Sequence, residues 1–176
     1  MARPECGGVA DGVADGAPRH VRVRVVTVST RAAAGEYQDR SGPMVCELLA
    51  AEGFEVDGPV VVPDGDAVGA VLRDAVTAGF DVVLTTGGTG LAPTDVTPEM
   101  TRVLLDREVP GLADAVRTTG VEAGVATAVL SRGLAGVVGR TLVVNLPGSV
   151  GGAKDGVSVL LPVLRHAVDQ IAGGDH

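Results

Sequence analysis

Aromatic side chains are nearly absent: the 176 residues include two Phe, one Tyr and no Trp. With 45% of residues apolar, any core must be built from Val, Leu and Ala. Basic residues are scarce as well. Fourteen Lys and Arg stand against 22 Asp and Glu, a formal charge of −8, which argues against nucleic acid as a partner. An anionic ligand would therefore need a local site made from helix N-termini, backbone N–H groups or a metal ion. Two cysteines, Cys6 and Cys46, supply neither a disulfide framework nor a zinc quartet, so a reducing, cytoplasmic setting is expected. No apolar run approaches a membrane span, and residues 1–20 lack the apolar stretch of a signal peptide. Glycine and proline, 26 and 10 residues, are too many for a simple helix bundle. The length suits one domain, or one domain with a tail.

Residues 1–20 are rich in Gly, Ala and Asp and partly repeat Gly-Val-Ala-Asp-Gly, which predicts a flexible tail, with the domain over residues 21–172. From Val21 onward, short β-branched runs alternate with helix-length amphipathic segments. Strands are predicted at residues 21–29, 54–62 (interrupted at Gly58-Pro59), 81–85, 136–139 and 141–145. Helices are predicted after Ser41-Gly42-Pro43 with Ser41 as cap, after Asp64-Gly65-Asp66, from Thr97-Pro98, from Pro110-Gly111, and over 157–171. The last helix would bury Leu160, Val163, Leu164, Ala167, Val168 and Ile171, and Pro162 would kink it or delay its start. Such alternation implies an α/β fold with a mostly parallel sheet covered on both faces. Ligands in these folds sit beyond the carboxyl ends of the strands.

The loop after the third strand is the strongest local signal: Thr85-Thr86-Gly87-Gly88-Thr89-Gly90, followed by Asp95-Val96-Thr97-Pro98-Glu99. Its glycines allow close backbone approach, Thr86 and Thr89 add hydroxyls, and the next helix N-terminus adds positive potential. It is not a Walker A loop, having no lysine, and Pro93 replaces the last glycine of a dinucleotide fingerprint. Asp95 lies in this loop and Asp64 in the equivalent loop after the second strand. Each could simply be a turn or capping carboxylate. If both face a triphosphate, Mg²⁺ must stand between them, because bare carboxylates would repel it. Asn145-Leu146-Pro147-Gly148-Ser149 forms a third such loop, against the alternative of a plain Pro-Gly turn. For Ser131 and Arg132, a turn hydroxyl and a surface charge are the simpler readings. His166 falls on the polar face of the last helix, and Cys46 lies near the apolar stripe of the first, so neither suggests catalysis.

These residues resemble the molybdenum-cofactor biosynthesis domain of the bacterial MogA and MoaB proteins, shared in part with MoeA and gephyrin. The resemblance runs over residues 21–171 and rests on Thr85 to Glu99. Supporting it are Asp39-x-Ser41-Gly42, Val62-Pro63-Asp64, Pro110-Gly111 with Arg117, Leu130-Ser131-Arg132, Asn145 to Ser149 and Leu164-x-His166-Ala167.

The resemblance implies a three-layer α/β/α fold, often trimeric or hexameric, that binds molybdopterin and serves a molybdenum or tungsten pathway. In catalytic members, the molybdopterin phosphate attacks the α-phosphorus of Mg²⁺-bound ATP, giving adenylylated molybdopterin and pyrophosphate. Asp64 and Asp95 then take the catalytic and metal-binding roles. Thr86, Gly87, Gly88, Thr89 and Gly90, with Ser41 and Gly42, would bind nucleotide or cofactor phosphates, and Ser131, Pro147, Gly148 and Ser149 would line the molybdopterin side. A molybdenum-inserting enzyme is the implied partner; nucleic acid and membrane are not. Two departures stand out: many relatives read Ser-Asp-Arg where this chain has Ser29-Thr30-Arg31, and many carry Arg where Thr94 stands. Two other readings compete with the enzyme: a non-catalytic MoaB-type carrier of molybdopterin, and an unrelated nucleotide-binding α/β domain.

Overall fold

The computed structural model describes residues 20–174. The tail expected over residues 1–20, Cys6 and His176 therefore lie, apart from His20, outside the described residues. Six strands form one sheet: β1 (Arg22–Val28), β2 (Glu55–Val62), β3 (Val82–Thr86), β4 (Arg107–Glu108), β5 (Ala135–Val138) and β6 (Thr141–Leu146). The helices are α1 (Thr30–Ala33), α2 (Ser41–Ala51), α3 (Asp66–Thr77), α4 (Thr97–Arg102), α5 (Pro110–Glu122) and α6 (Val150–Ile171), with a 3-10 turn at Ala126–Leu130. Strand order is β2-β1-β3-β6-β5-β4. The first four of these run parallel, and β5 and β4 join antiparallel at the edge. The β5–β6 link is only Gly139-Arg140, too short for a crossover, so the pair must be a hairpin; Gly139 turns it at φ +56°.

Side chains alternate across the sheet to make two aliphatic cores. Val23, Val25, Val82, Leu84, Leu142, Val144 and Leu146 face α2, α5 and α6. Val26, Val28, Val83 and Val143 face α3, with α4 packed at their margin through Met100. This is the expected three-layer arrangement, with no tryptophan needed to fill it. On the α3 face, Arg22 and Arg24 stack on Phe80 at 4.5 and 4.4 Å.

Several boundaries differ from the sequence reading. Helix α6 starts at Val150 and runs through Pro162, which lies on its exposed side, and Val163 is 39% exposed instead of buried. Ser41 is not the cap of α2. It lies in the first turn, and the Asp39 carboxylate accepts the N–H groups of Ser41 and Gly42, both at 3.1 Å. Strand β2 continues through Gly58-Pro59, and its register with β1 slips between Arg24 and Val26.

Asn145, 2% exposed, joins β6 to the α4 layer. Its Nδ2 donates to Thr85 Oγ1 and Thr101 Oγ1, both at 3.0 Å, while its Oδ1 accepts the Leu134 N–H at 3.3 Å. Replacing it by Ala would leave the buried Leu134 N–H without its Oδ1 acceptor and remove the donor to Thr85 Oγ1, while the Thr101 hydroxyl would keep only its bond to the Thr97 carbonyl. A loss of about 2–3 kcal/mol of unfolding free energy is expected, measurable by urea denaturation. Asn145 thus supports the site and does not line it.

Candidate functional site

The parallel strands end together at Val28, Val62, Thr86 and Leu146, so the loops that follow converge on one edge. Gly87 and Gly88 have φ +99° and +63°, a region that residues with a Cβ enter only at a cost. Space is also closed to them: a side chain at Gly87 would strike the Val28 carbonyl oxygen, and one at Gly88 would strike Thr97 Oγ1 and Asp64 Oδ1. The Gly87 N–H is committed to the Leu146 carbonyl at 3.2 Å, which removes it from the expected phosphate donors. The N–H groups of Gly88, Thr89 and Gly90 have no hydrogen-bond partner among the described residues. Three consecutive free donors in a glycine turn are what an anion site requires. Helix α4, only six residues long, adds little dipole potential; the 22-residue α6, capped by Ser149, adds more.

Neither candidate carboxylate is the cap of a helix, since the N-cap positions of α3 and α4 are Gly65 and Val96, with no side-chain cap. Asp64 turns instead toward Gly88, where its Oδ1 and the Thr97 hydroxyl are buried without a well-formed hydrogen bond. Burial, and then the charge of Asp95, raise the Asp64 pKa above the ordinary carboxylate value. The Val96 N–H and the nearby Thr97 hydroxyl offset only part of that rise. Asp95 packs against Gly90, so the two carboxylates flank the Gly88–Gly90 turn at its two ends. Among the described residues no group of three His, Cys, Asp or Glu could hold a metal. A carboxylate pair with an unpartnered buried oxygen fits Mg²⁺, which takes one or two carboxylates and completes its shell with phosphate oxygens and water.

Two adjoining cavities open here. One, ≈ 380 Å³, is lined by Gly88, Thr89, Gly90, Asp95, Ser131 and the apolar Val116, Val125 and Leu130. The other, ≈ 410 Å³, is lined by Ser29, Arg31, Tyr37, Asp39, Arg40, Ser41 and Thr86. Gly148 and Ser149 belong to both walls; Pro147 belongs to the first. The expected phosphate-binding set is thereby divided, with Thr89 and Gly90 in one cavity and Thr86 and Ser41 in the other. Ser41 Oγ and Thr86 Oγ1 are 2.8 Å apart and tie α2 to β3. Gly42 is packed against Thr27, Asp39 and Pro59, and its N–H serves Asp39.

Two residues were missed. Asp39 organises the second cavity, accepting from Thr27 Oγ1 at 2.6 Å as well as capping α2; the motif Asp39-x-Ser41-Gly42 was its only signal. Arg132 is no free surface charge. Its Nε donates to Gly90 O at 2.7 Å, and its other nitrogens reach Asp95 O and Glu99. Arg117 donates to the carbonyls of Ser131 and Gly133 at 3.3 and 2.8 Å, fixing that segment. His166 is exposed, as expected. Burial, followed by Asp39, pushes the Cys46 thiol up to about 11, so it is not a nucleophile at neutral pH.

Fold and site together define a three-layer α/β protein that presents a glycine turn, flanked by two carboxylates, to paired clefts suited to phosphorylated ligands. Residues 24–166 match a family described as "Probable molybdopterin binding domain". The chain is 38% identical over 160 residues to a molybdopterin adenylyltransferase of Pyrococcus furiosus, covering 86% of this chain and 94% of that protein. The solved structure of the molybdopterin biosynthesis Mog protein of Mycobacterium ulcerans superposes with TM-score 0.82 at 51% identity, covering 86% of this chain and 99% of that one. A molybdenum cofactor biosynthesis bifunctional protein of Chlorobaculum tepidum is 34% identical over 166 residues, 94% of this chain and 53% of its own length. The chain thus spans about half of that longer relative. It belongs to the molybdopterin-binding domain family of molybdenum cofactor biosynthesis. Among the described residues no helix is long and apolar enough to cross a membrane.

Proposed function

We propose that this chain is a Mg²⁺-dependent molybdopterin adenylyltransferase, joining the terminal phosphate of molybdopterin to the α-phosphorus of ATP with release of pyrophosphate. The observation that carries this reading is the Asp64–Asp95 pair flanking the glycine turn, with Asp64 Oδ1 buried and unpartnered. Two bare carboxylates beside a triphosphate would repel it, and a divalent cation between them reverses that sign. When bound, Mg²⁺ would neutralise charge on the phosphates and favour pyrophosphate departure. The chain's own groups do the positioning. The N–H groups of Gly88, Thr89 and Gly90 would hold phosphate oxygens. Gly148 and Ser149, common to both cavities, mark where two substrates, one on each side, would meet. The attacking phosphate is already a nucleophile at neutral pH, so no general base is required; the rate comes from aligning two polyanions. The exposed Val121 and Val129, which line neither cavity, support assembly into the expected trimer or hexamer.

A second reading, a non-catalytic carrier, is favoured by one observation. Next to Asp64, where the family resemblance implies an acid, stands Thr30, whose hydroxyl merely accepts the Asp64 N–H at 3.3 Å. Incubation with Mg-ATP and metal-free molybdopterin separates the two. Adenylylated product that disappears on chelation with EDTA is the expected outcome. Molybdopterin binding without product would establish the carrier instead.

A further inference from the structure

We propose that Arg132 is a positioning residue that fixes the Asp95 loop in the shape that binds the divalent cation; this rests on the adenylyltransferase reading. Arg132 lies between the 3-10 turn and β5, far in sequence from the loop it touches. Its backbone N–H donates to Thr89 O at 2.9 Å, and its Nε donates to Gly90 O at 2.7 Å. Its remaining bonds go to the Asp95 carbonyl and the Glu99 carboxylate. One guanidinium therefore holds both ends of the segment that begins at Gly90 and returns at Asp95, and ties in the first turn of α4. Between those ends, Leu91, Ala92, Pro93 and Thr94 are exposed and contribute little packing. Gly90 lies so close to the Asp95 carboxylate that an added Cβ would sit 2.5 Å from Oδ2. A shift of the loop at Gly90 would thus displace the carboxylate itself. At least one N–H on each of its three nitrogens is already engaged by protein oxygens. The side chain acts through Asp95 and does not reach for substrate.

The planar fork matters more than the charge. Lysine has one nitrogen and cannot span two carbonyls and a carboxylate in this geometry. The Arg132–Glu99 ion pair is partly exposed, at 33% and 46% of the two side chains, and such pairs contribute little by themselves. The two carbonyl bonds carry the effect.

The test is Mn²⁺ binding followed by electron paramagnetic resonance, on the full chain with a non-hydrolysable ATP analogue, alongside thermal unfolding and product formation. Arg132→Gln is expected to weaken Mn²⁺ about 10–100-fold, the range for residues that orient metal ligands. It should also raise the Mg²⁺ concentration needed for half-maximal transfer in proportion. Arg132→Lys should remain folded and recover only part of the affinity, whereas Glu99→Gln should stay within about twofold of wild type. Wild-type Mn²⁺ affinity in either Arg132 variant would overturn the proposal, as would an equal loss in Glu99→Gln. Wild-type protein that binds no Mn²⁺ and forms no product would overturn the adenylyltransferase reading itself. Intact wild-type activity with an unaffected Arg132→Gln overturns the positioning role alone.

Discussion

Asp95→Ala is expected to reduce adenylylation of molybdopterin by on the order of 10²–10³-fold while leaving the fold intact. The local backbone explains why the two effects separate. The Asp95 N–H donates to the Ala92 carbonyl at 2.9 Å, and its own carbonyl accepts from Arg132. Both anchors survive truncation of the side chain, and the helix that follows begins without help from the carboxylate. What disappears is one of the two oxygen donors beside the glycine turn. With Asp64 alone, a cation would be held by a single carboxylate, and the repulsion between two substrate polyanions would be poorly offset. Single-turnover product formation with saturating Mg-ATP measures the loss, and a thermal melt coincident with wild type confirms that folding is not its source. Undiminished product from the variant would remove Asp95 from the machinery.

Asp64→Asn should cut transfer by a similar factor and yet stabilise the cation-free protein at neutral pH. The sign follows from the raised pKa of Asp64, caused first by burial and second by Asp95. A carboxyl whose pKa is higher in the folded chain holds its proton more tightly there than when unfolded. Its contribution to stability is therefore present in acid and lost as pH rises from the ordinary carboxylate value through the raised folded one. At pH 7 the ionised group opposes folding, and the amide removes that opposition. The expected result is a higher Tm for the variant at pH 7, with the difference shrinking toward zero in acid, where the carboxyl is protonated in both states. Added Mg-ATP should raise the Tm of wild type by mass action and raise that of the variant much less. A variant less stable than wild type at pH 7, with no pH dependence in the difference, would contradict this account.

Much of the frame was legible because it depends on neighbours in the chain. Short, Val-rich apolar runs in β1, β3 and β6 predicted strands of a mostly parallel sheet covered on both faces, and Val68, Val71, Leu72 and Ala75 recur at helical spacing and are buried in α3. The turn glycines announced themselves because positive φ suits few other residues. The start of α6 was misjudged for the opposite reason. Gly151, Gly152 and Gly156 look like a loop, but Gly156 is small because of packing: a Cβ there would lie 2.8 Å from Leu146 Cδ2. Glycine serving as clearance for a neighbouring strand cannot be told from glycine serving as a bend until that strand is in place.

The sequence alone determined the α/β class, the glycine turn and its two carboxylates, since residue type and spacing carry that chemistry locally. Only the tertiary structure decided which groups stand together around them. It placed Asp64 against Gly88 and Thr97, divided the loops between two cavities that meet at Gly148 and Ser149, committed the Gly87 N–H to Leu146, and turned Arg132 from a surface charge into a clamp 42 residues from Gly90. The physical reason is common to all four. Each depends on strands brought side by side by a sheet whose order is not its sequence order, so the partners of a loop are set by where neighbouring strands end.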